Sequence, residues 1–270
     1  MGIHFGFQTY TWQMSYEKYR GRVGHILDIT RKASLAGFES EVCMLGDYEK
    51  APQRLADELS QRDLKLAAIC YVADWRGAKE TDAERAAADH TIQYVKTFPG
   101  TLLALCQMPG KDRNDLRERQ NNALACVNAI ARRAADQGIA SAFHPNSPPG
   151  SVFRTQEDYN LMLSGLDAKV VGFVPDTGHI ARGGMDPLTL MKSCRPLIKH
   201  VHFKDISAQG GWVPMGQGVT HYPAIVSWLA QTNYAGWIMI EDESPDAQVD
   251  PDAVALANGR YIHSRLLSCC

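Results

Sequence analysis

The chain alternates short segments that are apolar throughout with longer segments in which apolar residues recur at helical spacing. The short segments predict strands at Ile3–Phe7, Phe38–Met44, Leu64–Val72, Thr101–Gln107, Ile139–His144, Val170–Pro175, Ile198–Phe203 and Trp237–Glu241. The longer segments predict helices at Tyr19–Ala36, Pro52–Arg62, Thr81–Phe98, Asp112–Gln137, Thr155–Leu163, Pro187–Cys194, Tyr222–Thr232 and Pro251–Leu267. Strands that are apolar throughout, rather than alternating, are typical of a parallel sheet covered by helices.

Repeated strand–helix units predict an α/β protein, and their number favours a closed (β/α)₈ barrel over an open sheet. The chain has 270 residues, which suits one such barrel of about 250 residues. We therefore predict a single domain over residues 1–270. The first strand is not followed by Gly-x-Gly-x-x-Gly, which argues against a dinucleotide-binding fold.

Polar residues end four successive predicted strands, and in a barrel the catalytic groups lie at these carboxyl ends. They are His144, Asp176, His202 and Glu241. Because imidazoles and carboxylates together bind divalent ions such as Mn²⁺, Co²⁺ and Zn²⁺, the sequence predicts a metal site. His200 shares the parity of His202 on its strand, but His202 lies nearer the strand end, so we assign it as the ligand.

Two of these assignments have ordinary structural alternatives. Asp176 could cap a helix, and His144 could serve as a hydrogen-bonding group. Thr155 with Asp158 three residues later predicts a capping box at the start of a helix. Gly216-Gln-Gly218 could contact a phosphate, but this short motif more often forms a turn.

Several motifs resemble the xylose isomerase-like TIM barrel family of sugar isomerases, epimerases and dehydratases. They are Val174-Pro-Asp-Thr-Gly-His179, His200-Val-His-Phe-Lys-Asp205, Gly216-Gln-Gly218 and Gly236-Trp-Ile-Met-Ile-Glu241. His144-Pro145 after the fifth strand, the Gly-Gly-x-Asp-Pro turn at residues 183–187 and Glu243 after Glu241 most resemble the inosose (2-keto-myo-inositol) dehydratase branch. The resemblance implies one divalent metal, Mn²⁺ first and Co²⁺, Mg²⁺ or Zn²⁺ as alternatives, bound by His144, Asp176, His202 and Glu241.

The resemblance also implies proton removal beside a carbonyl, with His179 and Glu41 near the substrate. Two carboxylates and two neutral imidazoles would neutralise a divalent ion, which favours elimination over epimerisation. We predict a dehydratase or β-eliminating lyase in which Glu241 or Glu41 is the base and His179 protonates the leaving group, with Lys204 as electrostatic support. A sugar isomerase or epimerase and a 3-keto-glycoside lyase remain alternatives.

Other polar and aromatic residues near strand ends predict the rest of the substrate pocket. Trp12, Tyr71 and Gln107 could stack on or hydrogen-bond a carbohydrate or cyclitol, with ordinary core packing as the alternative. His200 is assigned to the same substrate pocket, next to the metal ligands.

Charge and cysteine content narrow the partners and the compartment. The net charge is -2 with a pI near 6.5, which argues against nucleic acid as a partner and against the DNA-repair branch of the same fold. No apolar run reaches the length of about 18 residues that a membrane span needs. The cysteines include no CxxC pair, and Cys43, Cys70, Cys106, Cys126 and Cys194 are predicted to be buried small residues. We expect a cytoplasmic protein, and the sequence leaves open whether it forms a homo-oligomer.

Overall fold

The computed structural model describes residues 2–270, and Met1 lies outside the described residues. The strands are β1 His4–Gln8, β2 Gly37–Glu41, β3 Lys65–Ala73, β4 Leu102–Gln107, β5 Ser141–His144, β6 Val171–Phe173, β7 Val201–Phe203, β8 Asp205–Ile206, β9 Trp212–Val213 and β10 Trp237–Ile240. All but β8 and β9 correspond to the eight predicted strands. The strands β8 and β9 form a separate antiparallel hairpin that lies outside the predicted strands.

Helices connect the strands throughout the described chain. They are α1 Tyr10–Gln13, α2 Tyr16–Tyr19, α3 Val23–Lys32, α4 Pro52–Gln61, α5 Asp82–Lys96, α6 Leu116–Ala135, α7 Gln156–Gly165, α8 Thr177–Arg182, α9 Pro187–Ser193, α10 Tyr222–Gln231, α11 Pro245–Val249 and α12 Pro251–Tyr261. Short 3-10 turns lie at Val42–Met44, Gly46–Lys50, Arg195–Leu197 and Leu267–Cys269, and a π-helical turn lies at Ile262–Leu266. Among residues 2–270, no helix combines the length and apolarity needed to cross a membrane.

The fold comprises two compact units. The first unit contains residues 2–67 and Val201–Cys270, and its strands follow the order β2-β1-β10-β7 with parallel pairing. Phe7 pairs with Phe38 on one side and with Ile240 on the other, and all three side chains are buried. The register places the carboxyl ends of these strands at one edge.

The second unit contains Ala68–His200, and its strands follow the order β3-β4-β5-β6, again with parallel pairing. Small side chains from these strands pack in its core, among them Ala68, Cys70, Ala104 and Ala142. Strand β3 begins in the first unit and continues into the second. The single-domain organisation of the chain stays a prediction.

A buried carboxylate at the start of α7 connects several segments of the second unit through hydrogen bonds. Asp158 is 5% exposed and accepts hydrogen bonds from Arg113 Nη2 at 2.5 Å and Gln120 Nε2 at 2.7 Å. It also accepts from the backbone N–H groups of Arg154 and Thr155, and the predicted capping box is confirmed. Burial raises the pKa of Asp158, but these N–H groups and the Arg113 charge outweigh it, so the pKa lies below its usual value.

Some predicted boundaries were wrong for identifiable reasons. The helix predicted from Tyr19 begins at Val23, because Gly21 adopts a left-handed φ of +70° that a helix cannot continue through. Strand β6 ends at Phe173, before the proline that precedes Asp176.

All seven cysteines are free thiols, and four of them, Cys70, Cys106, Cys126 and Cys194, are buried as predicted. The prediction for Cys43 was wrong, because this side chain is exposed.

Candidate active site

In the first unit, His202 and Glu241 come together at the ends of adjacent strands. Strand β10 pairs with β7 so that Ile240 lies beside Phe203, and the N–H of Glu241 donates to the carbonyl of Phe203 at 3.0 Å. Glu241 Oε2 lies 3.2 Å from Nδ1 of His202. His202 is 1% exposed and Glu241 4% exposed, so this pair lies in a low-dielectric environment.

The second ring nitrogen of His202 contacts Glu39, an acidic residue that is not among the predicted site residues. Nε2 of His202 lies 3.0 Å from Oε1 and 3.1 Å from Oε2 of Glu39. Glu39 lies on β2 and is completely buried. The sequence signal that could have identified Glu39 is its position inside a predicted strand, because carboxylates are rarely buried without a partner.

Lys204 provides the positive charge among these acids. Its ammonium group donates to Glu241 Oε1 and to Glu243 Oε1, and Lys204 is 1% exposed. Nζ also lies 5.3 Å from the ring centroid of Trp212 and 5.9 Å from that of Tyr10. Burial raises the pKa of Glu243, and the charge of Glu241 adds to this increase against the opposing charge of Lys204. Glu243 is therefore a second carboxyl group suited to exchange a proton.

In the second unit, His144 ends β5 and Asp176 follows β6. Nε2 of His144 lies 3.6 Å from Oδ2 of Asp176, and both side chains are buried. Oδ1 of Asp176 accepts from the N–H of His179 at 2.8 Å, so Asp176 is also the N-cap of α8. The helix cap that was the alternative to a ligand role is therefore present, and it uses only one of the two carboxylate oxygens.

The environment of His144 favours its protonated form in the metal-free protein. Burial lowers the pKa of His144, but hydrogen bonds and charge from Asp176 and Cys106 outweigh it and hold the pKa well above its ordinary value. A cation binds the neutral ring, so binding at His144 would displace a proton.

His179, the predicted proton donor, is held in place by Ser147. The hydroxyl of Ser147 lies 2.8 Å from Nδ1 of His179, and Nε2 lies 4.0 Å from Asp176 Oδ2. The rings of His144 and His179 meet edge to face, with centroids 5.6 Å apart. The hydrogen bond at Nδ1 fixes the ring, so that Nε2 is the nitrogen suited to proton transfer.

Glu41, a predicted base, is the last residue of β2 and is half-buried. Its Oε2 accepts from Gln13 Nε2 at 2.7 Å, and the thiol of Cys43 lies 3.6 Å from the same oxygen. Gln13 thus orients the carboxylate.

The residues predicted to line the substrate pocket differ in their accessibility. Trp12 is 0% exposed and donates its indole N–H to Asp252 at 2.7 Å, so the ring presents no face for stacking and the structure does not support the predicted sugar contact. Tyr71 donates its hydroxyl to the carbonyl of Glu84, and burial raises its pKa to about 12. Gln107 donates to the carbonyl of Asp74.

Gln107 also borders a small cavity with Pro145 and Asn146. His200 directly precedes β7 and is 1% exposed.

Asp205 determines the conformation of the segment that contains Gly216-Gln-Gly218. Its Oδ2 accepts from the N–H groups of Gly216 at 2.9 Å and Gly218 at 3.0 Å, and its Oδ1 accepts from those of Ile206 and Thr220. A Cβ atom at position 218 would lie 2.3 Å from Asp205 Oδ1, which requires glycine there. The motif therefore forms a turn around an internal carboxylate, as the preferred prediction had it.

The donor chemistry of these side chains fits a divalent metal. His202 with Glu241 in the first unit, and His144 with Asp176 in the second, are each a buried imidazole next to a buried carboxylate. Two imidazoles and two carboxylates match the preferences of Zn²⁺, Co²⁺ and Mn²⁺, whereas Mg²⁺ prefers oxygen ligands alone.

Comparison with known proteins gives consistent results. The description of the family that matches residues 27–262 is "Xylose isomerase-like TIM barrel". An inosose dehydratase from Lactiplantibacillus plantarum is 24% identical over 296 residues, covering 98% of this chain and 97% of that protein. A second inosose dehydratase, from Clostridium botulinum, is 29% identical but covers only 55% of each chain.

Solved structures of low sequence identity share the fold. The probable 3-DHS dehydratase AsbF of Bacillus anthracis has a TM-score of 0.77 at 17% identity, covering 98% of this chain and 100% of that chain. The IolI protein, solved with a zinc atom, has a TM-score of 0.78 at 16% identity, covering 98% of both chains. The 3-keto-D-glucoside 4-epimerase YcjR of E. coli has a TM-score of 0.75 at 14% identity, covering 97% of this chain and 99% of that chain. The predicted (β/α)₈ barrel fold is thereby confirmed.

Proposed function

This chain belongs to the xylose isomerase-like TIM barrel family, and on that premise we propose that it is a divalent-metal-dependent lyase. Its substrate would be a keto-sugar or keto-cyclitol, from which it removes a proton beside the carbonyl and eliminates a β-hydroxyl. The observation that carries the proposal is a buried imidazole beside a buried carboxylate in each unit, His202 with Glu241 and His144 with Asp176. A relative named inosose dehydratase that matches nearly the whole chain supports the reaction.

We assign His144, Asp176, His202 and Glu241 as the metal ligands. Charge supports this assignment, because two carboxylates balance a divalent cation and two neutral imidazoles complete its shell. Mn²⁺ stays our prediction for the metal, with Co²⁺ and Zn²⁺ as alternatives, and the zinc atom in the similar IolI structure supports a divalent ion. When bound, the ion would polarise the substrate carbonyl as a Lewis acid.

The acidic residues divide into a ligand and candidate bases. Glu241 Oε2 lies 3.2 Å from Nδ1 of His202, and a carboxylate that binds a cation loses basicity, so we assign Glu241 as a ligand rather than as the base. Glu41 and Glu243 are the candidate bases, because both are partly accessible and each is oriented by a neighbouring donor. Lys204 would keep Glu241 ionised and oppose the build-up of negative charge.

The proposed reaction balances as a loss of water. A carboxylate takes the proton from the carbon beside the carbonyl, and the electron pair of that C–H bond forms a C=C bond. The bond from the neighbouring carbon to its hydroxyl breaks, and His179 Nε2 protonates the departing oxygen. The unsaturated hydroxy-ketone then tautomerises to a dicarbonyl compound.

The test is to mix 2-keto-myo-inositol with the protein after EDTA dialysis and after reconstitution with Mn²⁺, Co²⁺ or Zn²⁺. We expect a metal-dependent increase in dicarbonyl absorbance, and a decrease of roughly 10³-fold or more without metal, because Lewis-acid catalysis contributes several kcal/mol. Asp176→Asn should lose this activity. The matched control Asp167→Asn, at a carboxylate paired with Arg132 on the surface, should keep it. Metal binding with no absorbance change for this substrate would refute the inosose assignment.

Epimerisation of a ketose is the main alternative, and the presence of two candidate bases favours it. An epimerase would incorporate solvent deuterium at the carbon beside the carbonyl and release no water, whereas the lyase would give the unsaturated product. A 3-keto-glycoside lyase would instead release an alcohol or sugar from a glycosidic substrate. The cytoplasmic location also stays a proposal, which the free state of all seven cysteines supports.

A further inference from the structure

A buried acid outside the proposed ligand set contacts one of the ligands. Glu39 is 0% exposed and lies 3.0 and 3.1 Å, by its two carboxylate oxygens, from Nε2 of His202. The two residues are 163 positions apart in the sequence and lie on different strands, β2 and β7. Such a charged group has a large desolvation cost, so its position needs an explanation.

The contact decides which ring nitrogen of His202 holds the proton. An ionised carboxylate only accepts hydrogen bonds, so the N–H of a neutral His202 ring must be on Nε2. The lone pair is then on Nδ1, the nitrogen that faces Glu241 at 3.2 Å. We infer that Glu39 is a positioning residue that holds His202 in the tautomer and ring orientation that bind the metal through Nδ1. This inference rests on the proposed function, because it assumes that His202 is a ligand.

The negative charge of Glu39 has a second effect on the site. Asp176 and Glu241 together balance a divalent ion, and Lys204 balances Glu243. Glu39 therefore adds one negative charge, which acts on the ion through the His202 ring. A carboxylate behind an imidazole raises the basicity of that ligand. Glu39 would thus strengthen metal binding while moderating the polarising power of the ion.

The experiment measures metal affinity in three variants by calorimetry with Co²⁺ and Mn²⁺. Glu39→Ala removes the acceptor, and we expect its dissociation constant to increase by about 10- to 100-fold, the range for partners behind a metal-ligating histidine. Glu39→Gln keeps an acceptor without the charge, and we expect a smaller increase. Asp158→Asn is the matched control, because it removes a buried charge that contacts Arg113 and Gln120 instead of a ligand. It should lose stability but keep the wild-type metal affinity.

Spectroscopy distinguishes positioning from a purely structural role. The imidazole ¹⁵N shifts of the Zn²⁺-loaded protein, assigned with a His202→Asn variant, should show the Nε2–H form of His202 in the wild type and in Glu39→Gln. A mixture of tautomers is expected in Glu39→Ala. The visible absorption of the Co²⁺ form should change in Glu39→Ala and stay unchanged in Asp158→Asn.

The outcomes separate the two proposals. A wild-type protein that binds no stoichiometric metal would refute the proposed function. A second outcome would overturn only the role of Glu39. In that outcome the wild type binds metal, and Glu39→Ala and Glu39→Gln bind it equally well and show the same Co²⁺ spectrum. Circular dichroism identifies a variant that fails to fold, and the isosteric Glu39→Gln variant then decides.

Discussion

Replacing Lys204 by methionine tests the electrostatic arrangement of the site most directly. Lys204 is 1% exposed and its ammonium group donates to both Glu241 and Glu243. Methionine retains most of the apolar stem and removes the charge. The metal-free variant would keep two neighbouring carboxylates without the cation that compensates them.

The expected loss of stability follows from this burial. Removing one partner of a buried ion pair costs about 3–5 kcal/mol, because the remaining charge stays desolvated and unpaired. We expect a decrease of this size in the free energy of unfolding of the metal-free protein. Combining Lys204→Met with Glu243→Gln removes one of the two uncompensated acids, so the double variant should recover part of the loss.

Metal should reduce the difference between variant and wild type. In Lys204→Met no ammonium group competes for Glu241, so the variant should bind a divalent cation at least as tightly as the wild type. An ion that binds only the folded state stabilises it by mass action. Elimination activity should nevertheless decrease, since the charge that supports the reaction is absent.

The assay is urea unfolding followed by circular dichroism, with and without saturating Mn²⁺. Lys32→Met, at an exposed position of α3, is the control and should change stability by no more than about 0.5 kcal/mol. Metal-free Lys204→Met that is as stable as the wild type would refute a stabilising role for the buried ammonium group. A stability difference that Mn²⁺ increased would also contradict it.

Three further predictions concern the scaffold. Asp158→Asn should lower the free energy of unfolding by roughly 1.5–3 kcal/mol at neutral pH. The pKa of Asp158 is lowered in the folded state. The stability difference between wild type and variant should therefore be complete above the unfolded pKa of about 4 and vanish as pH falls through the folded pKa. Urea titrations that show a constant difference down to pH 2 would contradict this. Gly6→Ala should cost about 3 kcal/mol or more, since its Cβ would lie 2.3 Å from a backbone carbonyl oxygen of β2, whereas Gly211→Ala, with its nearest atom at 3.6 Å, should be nearly neutral in the same assay. Asp205→Ala should make residues 207–220 sensitive to limited proteolysis, and an unchanged cleavage rate would argue against the carboxylate as their anchor.

Sequence pattern was sufficient for the parallel strands because each is a short apolar segment followed by a turn and an amphipathic helix. Strand ends identified His144, Asp176, His202 and Glu241 as candidates for the same reason, since a polar residue that interrupts an apolar segment is visible in one dimension. The hairpin of β8 and β9 was not predicted, because two-residue strands with polar neighbours leave no hydrophobic pattern.

The contacts that orient the site could not be predicted from local pattern. Glu39 and Glu41 have the same parity on β2, so the sequence does not tell which of them is buried. The partner of Glu39 is 163 residues away, and the indole of Trp12 contacts Asp252, 240 residues away. Such pairings depend on how distant strands and helices meet, which a single sequence does not specify.

The four N–H groups gathered on Asp205 also bear on how the protein behaves in a phosphate-rich solution. Glycine-rich turns often form concave anion sites with their backbone N–H groups, but here the carboxylate of Asp205 occupies that position. Inorganic phosphate would have to displace this carboxylate, which belongs to the same chain and loses no translational entropy on binding. The shape of the turn is therefore expected to be indifferent to the phosphate concentration of its surroundings.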